Sequence, residues 1–483
     1  MHTYACFTQP TPLGSVTVDV YVQPIDAAPE FHVPYEGADP LVRAAFPDGF
    51  PPSYGSALAF KSMSPDGVLE FYCLTDRGPN GDGPNIFSPD GQDKTGSKIF
   101  PSPGFAPAIG VLRASAQGAQ LVSRQTIMVA PGVPASGLPP PHGDRAADEI
   151  PLFDSLQAGA QSREMFSIHG IDSEAIAWDS ARNTVWISDE YGPGLLKVDP
   201  DSGLILQRFG PGAGLPAILR LRRANRGMEG MSFDAQADRI HAFLQSPLSD
   251  GKALYAATGK QAKLERHARF LRWIEFDPQA GQTTRMLAYP LDPAHYADGR
   301  TGNAKLGDLA ALGDGKFAVI EQGKGPDGKI ANKLMLVDIG AATDISVARF
   351  KPETADLERS SMAGKPVNGA DWSAVLPLKK SLLLDLNAIG WVAEKAEGLA
   401  LVDERTLAMS NDNDFGLKSR LYDAAGTDIA DADVSEIDVD EQGKIVRGAA
   451  STDTIRIGRA DEHERPLTLW LLRFGKPIAS YGA

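Results

Sequence analysis

A short phrase recurs along this chain, each time with an acidic or small polar residue where an apolar, strand-like run begins. Ile171-Asp172-Ser173-Glu174-Ala175-Ile176-Ala177 opens a run that ends, beyond a turn, in Trp186-Ile187-Ser188-Asp189-Glu190-Tyr191-Gly192. Met228-Glu229-Gly230-Met231-Ser232 leads in the same way to Phe243-Leu244-Gln245-Ser246. Gly307-Asp308-Leu309-Ala310-Ala311 leads to Ala318-Val319-Ile320-Glu321-Gln322-Gly323, and Ala396-Glu397-Gly398-Leu399-Ala400 to Ala408-Met409-Ser410-Asn411-Asp412-Asn413-Asp414. A weaker copy, Tyr54-Gly55-Ser56-Ala57-Leu58-Ala59, leads to Tyr72-Cys73-Leu74-Thr75-Asp76-Arg77-Gly78. In the clearest copy the apolar runs 174–178, 184–188, 195–199 and 204–209 are separated by turn chemistry and show no helical period. Short runs rich in Ile, Val, Leu and Trp with tight turns make an antiparallel meander. Meanders that recur along a chain predict a β-propeller.

The expected architecture is therefore all-β: a single propeller over 1–483, with its characteristic region at 44–480 and long inserted loops at 125–168 and 246–268. The first insertion contains the Pro-rich segment 133–142. Five copies of the phrase are visible. A sixth blade is expected from the two ends, by pairing of 16–22 with 468–474, which gives a six-bladed ring with five or seven blades left open. Closure of that kind removes a free sheet edge.

With 42% hydrophobic residues the chain can build a large core, and 49 Gly and 36 Pro spread along it suit many turns. The formal charge of −15 argues against a nucleic-acid partner, which needs a basic face. No apolar run approaches the ~20 residues needed to span a bilayer. The first residues show neither a basic stretch nor an apolar core of a secretory signal. Cys6 and Cys73 allow one disulfide at most, and free thiols are the simpler reading.

A radial arrangement would bring the repeated acids to one axis. Glu174, Glu229, Asp308 and Glu397 would face the channel, with Asp76, Asp189, Glu190, Glu321, Asp412 and Asp414 on loops beside it. Carboxylates a few Å apart raise one another's pKa unless a cation neutralises them. An all-oxygen set without His or Cys favours Ca²⁺ over zinc and over Mg²⁺. The plainer reading is that each acid accepts backbone N–H groups where its strand begins. Thr75-Asp76-Arg77-Gly78-Pro79-Asn80-Gly81-Asp82-Gly83 adds Asp82 as a further oxygen ligand, although it lacks EF-hand spacing and an ordinary turn explains it equally well. Arg77 and Arg226 lie closest to the repeated phrase and could grip an anion or balance the carboxylates. Hydrolase elbows, zinc-binding His pairs and nucleotide loops are absent from the sequence.

Several of these segments, in order, resemble the bacterial phytase-like family, usually called "esterase-like activity of phytase". They are Thr75-Asp76-Arg77-Gly78-Pro79-Asn80-Gly81-Asp82, Asp172-Ser173-Glu174-Ala175-Ile176-Ala177, Ser188-Asp189-Glu190-Tyr191-Gly192-Pro193 and Asn225-Arg226-Gly227-Met228-Glu229-Gly230, with Thr468-Leu469-Trp470-Leu471-Leu472 near the end. The resemblance implies a propeller, calcium dependence and hydrolysis of phosphate esters or other esters. Because members are commonly exported by bacteria, it also implies a periplasmic or extracellular protein.

The expected mechanism is metal-assisted hydrolysis of a small-molecule ester or phosphoester by a monomer. Ca²⁺ would be held by Glu174, Glu229, Asp308 and Glu397, with Asp76, Asp82, Glu321, Asp412 and Asp414 as further ligands. Asp189 or Glu190 would serve as general base, and Arg77 or Arg226 would stabilise developing negative charge. A propeller lactonase and a calcium-stabilised binding propeller without catalysis are the alternatives.

Overall fold

The computed structural model describes residues 4–482 except 26–27, 89–92, 142, 144–148, 155–164 and 441. Its frame is five antiparallel sheets. The first blade runs Ala57–Met63, Leu69–Leu74, Ala108–Ser115 and Gly118–Thr126 from the axis outward. The second is Ser173–Asp179, Thr184–Asp189, Gly194–Val198 and Ile205–Pro211, and the third Met228–Asp234, Arg239–Leu244, Phe270–Asp277 and Gln282–Pro290. Ala304–Gly313, Lys316–Lys324, Ile330–Asp338 and Lys379–Asp385 make the fourth. The innermost strand of each blade packs beside that of the next, and Leu399–Asp403 of the fifth blade returns to Ala57–Met63 of the first. The ring is closed, and the chain is an all-β propeller.

The blade count differs from the expected six. Segment 16–22 does pair with 468–474, in a register running from Val16↔Phe474 to Val22↔Thr468. Leu467–Phe474 also pairs with Thr406–Ser410, however, so the two chain ends complete the fifth blade rather than adding a sixth. The fifth copy of the phrase supplies only two inner strands before the chain departs for more than fifty residues, and it needs those ends to become a full sheet.

The apolar side chains follow from this geometry. A middle strand is covered on both faces by its neighbours, so it reads as a continuous apolar run, and all of Thr184–Asp189 is buried. Val185 and Ile187 join the first blade's Leu74 and Ile109, while Trp186 points the other way into the third blade's Met231 and Phe276. Trp273 and Phe243 meet Phe317 and Val319 between the third and fourth blades. Ile320 and Leu334 meet Met409 and Leu472 between the fourth and fifth, and Phe71 and Cys73 meet Leu469 and Leu471 where the ring closes. Each seam between blades is thus one apolar core.

A sixth core lies outside the ring. Glu149–Leu152, Lys94–Ile99, Asn85–Phe87, Asp438–Val439 and Ile445–Arg447 form a small mixed sheet, joined by the pair Leu417–Tyr422 and Thr454–Arg459. Phe50, Ile99, Leu152, Phe415, Leu421 and Ile457 are buried beneath it. This cap is assembled from insertions after the first blade's second strand, between the first and second blades, and within the fifth blade. In the expected loop 125–168 the structure has Met128–Ala130 paired with Val133–Pro134 and then the cap strand Glu149–Leu152, part of this loop lying outside the described residues. The expected loop 246–268 is a hairpin, Lys252–Tyr255 with Lys260–Lys263, followed by a single helical turn, Leu264–His267. Cys6 is exposed and Cys73 buried, and both are free thiols.

Candidate metal centre and active site

At the start of three inner strands the ladder slips, between Ser173 and Ile176, Met228 and Met231, and Leu306 and Leu309. Each slip coincides with the repeated acid: Glu174, Glu229 or Asp308. A bulge re-aims the side chain that carries it, which is why an acid can leave the alternating pattern at this point. The glycine beside the acid has a steric reason. A Cβ on Gly230 would lie 2.5 Å from the Gly307 carbonyl oxygen, and one on Gly307 2.7 Å from that of Ala396. At these two positions the neighbouring inner strands approach too closely for a larger residue.

These strand starts and the cap enclose a cavity of about 820 Å³ lined by Asp76, Arg77, Glu174, Glu190, Glu229 and Glu397 among others. Two carboxylate groups there can hold a metal ion. In one, ligand oxygens of Asp172, Glu174 and Glu190 lie within 4.8 Å of one another, and in the other those of Asp76, Asp412 and Asp414 do so.

The two groups differ in what balances them. In the second, the Lys395 ammonium sits 2.6 Å from both Asp412 and Asp414. Burial works against the Asp412 carboxylate, but Lys395 and hydrogen bonds from Ser53 and the Asp414 amide hold its pKa below the usual value. Asp414 is pushed up to about 6 by burial and by Asp412. In the first group Arg77 offsets Asp172 and, with Arg226, Glu190 only from a distance. Arg77 reaches Asp172 only at 3.6 Å and makes its close pair, 2.6 Å, with Glu149 of the cap. Burial raises Glu174 and Glu229 well above the ordinary carboxylate range. Asp172 and Glu229 add to this at Glu174, and Glu190 and Glu397 do so at Glu229. Burial and Asp172 lift Glu190 to about 7, and burial lifts Glu397 to about 8 against the pull of Lys395.

Among the described residues, Asp172 Oδ2, Glu190 Oε1 and Glu229 Oε2 are buried without a hydrogen-bond partner. The three residues are 1%, 4% and 3% exposed. A buried carboxylate oxygen without a donor is costly unless a cation meets it. The donor set is all oxygen, with no His or Cys in either group. It fits a hard divalent ion.

Other residues named from the sequence lie elsewhere. Asp308 does not line the cavity. Its Oδ1 accepts from the Met231 and Leu309 amides at 3.0 and 2.8 Å, and its Oδ2 from the Leu399 amide at 3.3 Å. It clasps three neighbouring strands by their backbones, so the plainer reading of a strand-opening acid holds for this copy. Glu321 is turned away into a seam, where Tyr289, Tyr296 and Lys380 hold it at 2.6, 2.8 and 2.5 Å. Asp189 accepts from the Asp172 amide at 3.1 Å and pairs with Arg208 at 2.7 Å, which leaves it no role as a free base. Asp82 stands at the rim, paired with Lys98 at 2.6 Å. Arg226 lines the cavity and donates to Ser246 Oγ at 2.8 Å; burial and then Arg223 lower its pKa to about 10. Arg77, packed between the rings of Phe100 and Tyr191, fastens the cap to the ring.

Sequence reasoning passed over Asp172 and Lys395. Each lies two residues before a repeated acid, at Asp172-Ser173-Glu174 and Lys395-Ala396-Glu397. That spacing is the one signal that could have placed them on the same side of an extended chain.

A propeller with a capped, acidic channel mouth is the class that fold and site define. The chain belongs to the phytase-like family described as "Esterase-like activity of phytase", whose model matches residues 56–415, and with that family it is a hydrolase-type propeller. No curated protein matches the sequence. Among solved structures it is similar to the α-L-arabinofuranosidase of Podospora anserina, at 10% identity and a TM-score of 0.35 over 92% of this chain and 96% of that one. It is also similar to the periplasmic gluconolactonase of Pseudomonas aeruginosa, at 10% identity and a TM-score of 0.32 over 94% and 97%. Neither likeness bears on substrate or site. No helix among the described residues is long and apolar enough to cross a membrane.

Proposed function

We propose that the protein is a calcium-dependent hydrolase of phosphate esters or other esters, acting in the cavity between ring and cap. The observation that carries this reading is the set of buried, donor-free oxygens on Asp172, Glu190 and Glu229. Asp172, Glu174 and Glu190 would hold the ion, with Glu397 adding negative charge across the cavity. A bound Ca²⁺ would supply Lewis-acid polarisation of the phosphoryl or carbonyl oxygen.

The chain's own residues would do the rest. Glu229 Oε2 has no donor and is available to take the proton of an attacking water. Arg226 has one guanidinium nitrogen bonded to Ser246 Oγ and the Ala304 carbonyl, which fixes its plane on the cavity wall, where it would meet negative charge developing on the substrate. Arg77 would act at one remove, by holding Asp172 and the cap in place. Gln245 lines the same cavity and favours the ionised form of Glu229. A monomer exported to the periplasm or beyond belongs to the same reading, which the family resemblance supports.

The test is metal analysis of the purified protein, then turnover of an ester, a phosphoester and a lactone panel with and without chelator. Ester or phosphoester hydrolysis lost on chelation and restored by Ca²⁺ is expected, with a stability gain of about 2.7 kcal/mol at a hundredfold excess over Kd. Glu174→Gln should abolish that gain. Turnover confined to lactones would favour the lactonase, and a calcium-dependent melting point without turnover the binding propeller.

A further inference from the structure

Asp172 is held by one oxygen and left open at the other. Its Oδ1 accepts from the Arg77 amide at 3.2 Å, while its buried Oδ2 meets no hydrogen-bond donor among the described residues. The Arg77 guanidinium stands close by, with Nε 3.6 Å from that oxygen. At that range it offsets charge without making a hydrogen bond. A shift of roughly 0.8 Å would give the ~2.8 Å of a charge-assisted bond. The other end of the same guanidinium explains why it stops short. Nη1 donates to Glu149 Oε1 at 2.6 Å, and the rings of Phe100 and Tyr191 lie beside the group with centroids 5.8 Å away. The fork is planar and rigid, so a close bond at Nη1 fixes where Nε lies. Glu149 opens the cap strand Glu149–Leu152, which pairs with Lys94–Ile99 in a register from Glu149↔Gly96 to Leu152↔Ile99. Its position is therefore set by the cap and not by the ring.

We infer that Glu149 is a positioning residue for the ion site: by holding Arg77 towards the cap it keeps the guanidinium off Asp172 Oδ2, and so leaves that oxygen open to a divalent cation. This rests on the calcium reading and adds to it a residue that is not itself a candidate ligand. A guanidinium bonded to Oδ2 would compete with the ion twice, by filling the oxygen and by placing a positive charge against the group Asp172, Glu174 and Glu190. A neutral side chain at position 149 would hold Arg77 poorly against Asp172, because the carboxylate offers the guanidinium an opposite charge as well as an acceptor. Without the Glu149 charge, Arg77 moves onto Asp172 and the ion has to displace it.

The experiment is calorimetric titration of the full chain with Ca²⁺, on wild type, Glu149→Gln and the double variant Arg77→Met with Glu149→Gln. It is accompanied by a crystal structure of metal-free Glu149→Gln. Calcium affinity should fall about 10- to 100-fold in Glu149→Gln, the worth of one charge-assisted hydrogen bond that the ion must break. The double variant should bind at least as tightly as wild type, because with Arg77 gone there is no competing cation to hold back. If Glu149 merely seats the cap, the double variant is instead no better than the single one. In the crystal, Arg77 Nε should lie within hydrogen-bond distance of Asp172 Oδ2. The metal-free melting point of Glu149→Gln should change little, since Arg77 exchanges one carboxylate for another, and a variant that fails to fold overturns the tether. Calcium affinity untouched by Glu149→Gln, or lost equally in the double variant, overturns it as well. A wild type that binds no calcium, together with Arg77 bonded to Asp172 in the variant crystal, removes the calcium reading and upholds the tether, so the two ideas fail separately.

Discussion

Glu229→Gln is expected to lower hydrolysis by about 10²- to 10⁴-fold, the usual range for removing a positioned general base, while bound metal stays close to the wild-type amount. Glutamine has the shape of glutamate and keeps an acceptor, so it should fill the same buried space and retain the contact with Gln245. It cannot take a proton. Because Glu229 Oε2 meets no donor among the described residues and burial works against its charge, the variant should melt no lower than wild type. In the metal-free protein it should melt slightly higher, since one of several mutually repelling buried carboxylates has gone. The measurement is kcat alongside elemental metal analysis of the same sample. Metal lost together with activity would return Glu229 to the ligand set, and a wild-type rate would move the base elsewhere.

The second large effect is on stability. Asp308→Ala should cost about 4 kcal/mol, because the Met231, Leu309 and Leu399 amides lose their acceptor together in a place water reaches poorly. Asp308 is 2% exposed, so solvent cannot take over those bonds. Asp308→Asn should recover only part of the loss, since its amide nitrogen would present a donor to at least one N–H. A urea midpoint gives the stability, and kcat per folded molecule should remain within a few-fold of wild type. If Asp308→Ala instead lost metal at unchanged midpoint, the clasp would be disproved and the acid would belong with Glu174.

These two acids lie one position apart at the same slip in the ladder, Glu229 matching Gly307 and Gly230 matching Asp308, and they do different things. The reason is local. Glu229 is one methylene longer and precedes its glycine, so it reaches the cavity, whereas Asp308 follows its glycine and is short enough to fold back onto neighbouring amides. Glu174 and Glu397 share the longer side chain and both line the cavity. Glu321 shows the opposite error. It lies in a phrase that resembles Trp186-Ile187-Ser188-Asp189-Glu190, but alternation along its strand turns it into the seam and sends Gln322 to the cavity instead. A slip of one position in an extended strand exchanges the two faces. Reading Asp189 as a base failed for the same reason, and its neighbour Glu190 is the one that faces inward.

The cap escaped notice because its strands are short, some only two or three residues, and are drawn from distant insertions. Asp438–Val439 pairs in parallel with Asn85–Phe87 across some 350 residues of chain, a contact that no local pattern announces. Blade number was misjudged by the same mechanism. The sheet partner of Thr406–Ser410 lies beyond the cap insertion, so the fifth copy looked complete without the chain ends and the ends looked like a blade of their own.

By itself the sequence determined the class of fold and the convergence of acids, since alternation, turn residues and the repeated phrase are local properties that survive whatever packs around them. Only the tertiary structure decided which acids meet and which are already occupied by backbone amides or by Lys395. Those outcomes depend on bulges, side-chain length and strand facing at the axis, where a single residue's register separates a buried structural clasp from a group free to bind.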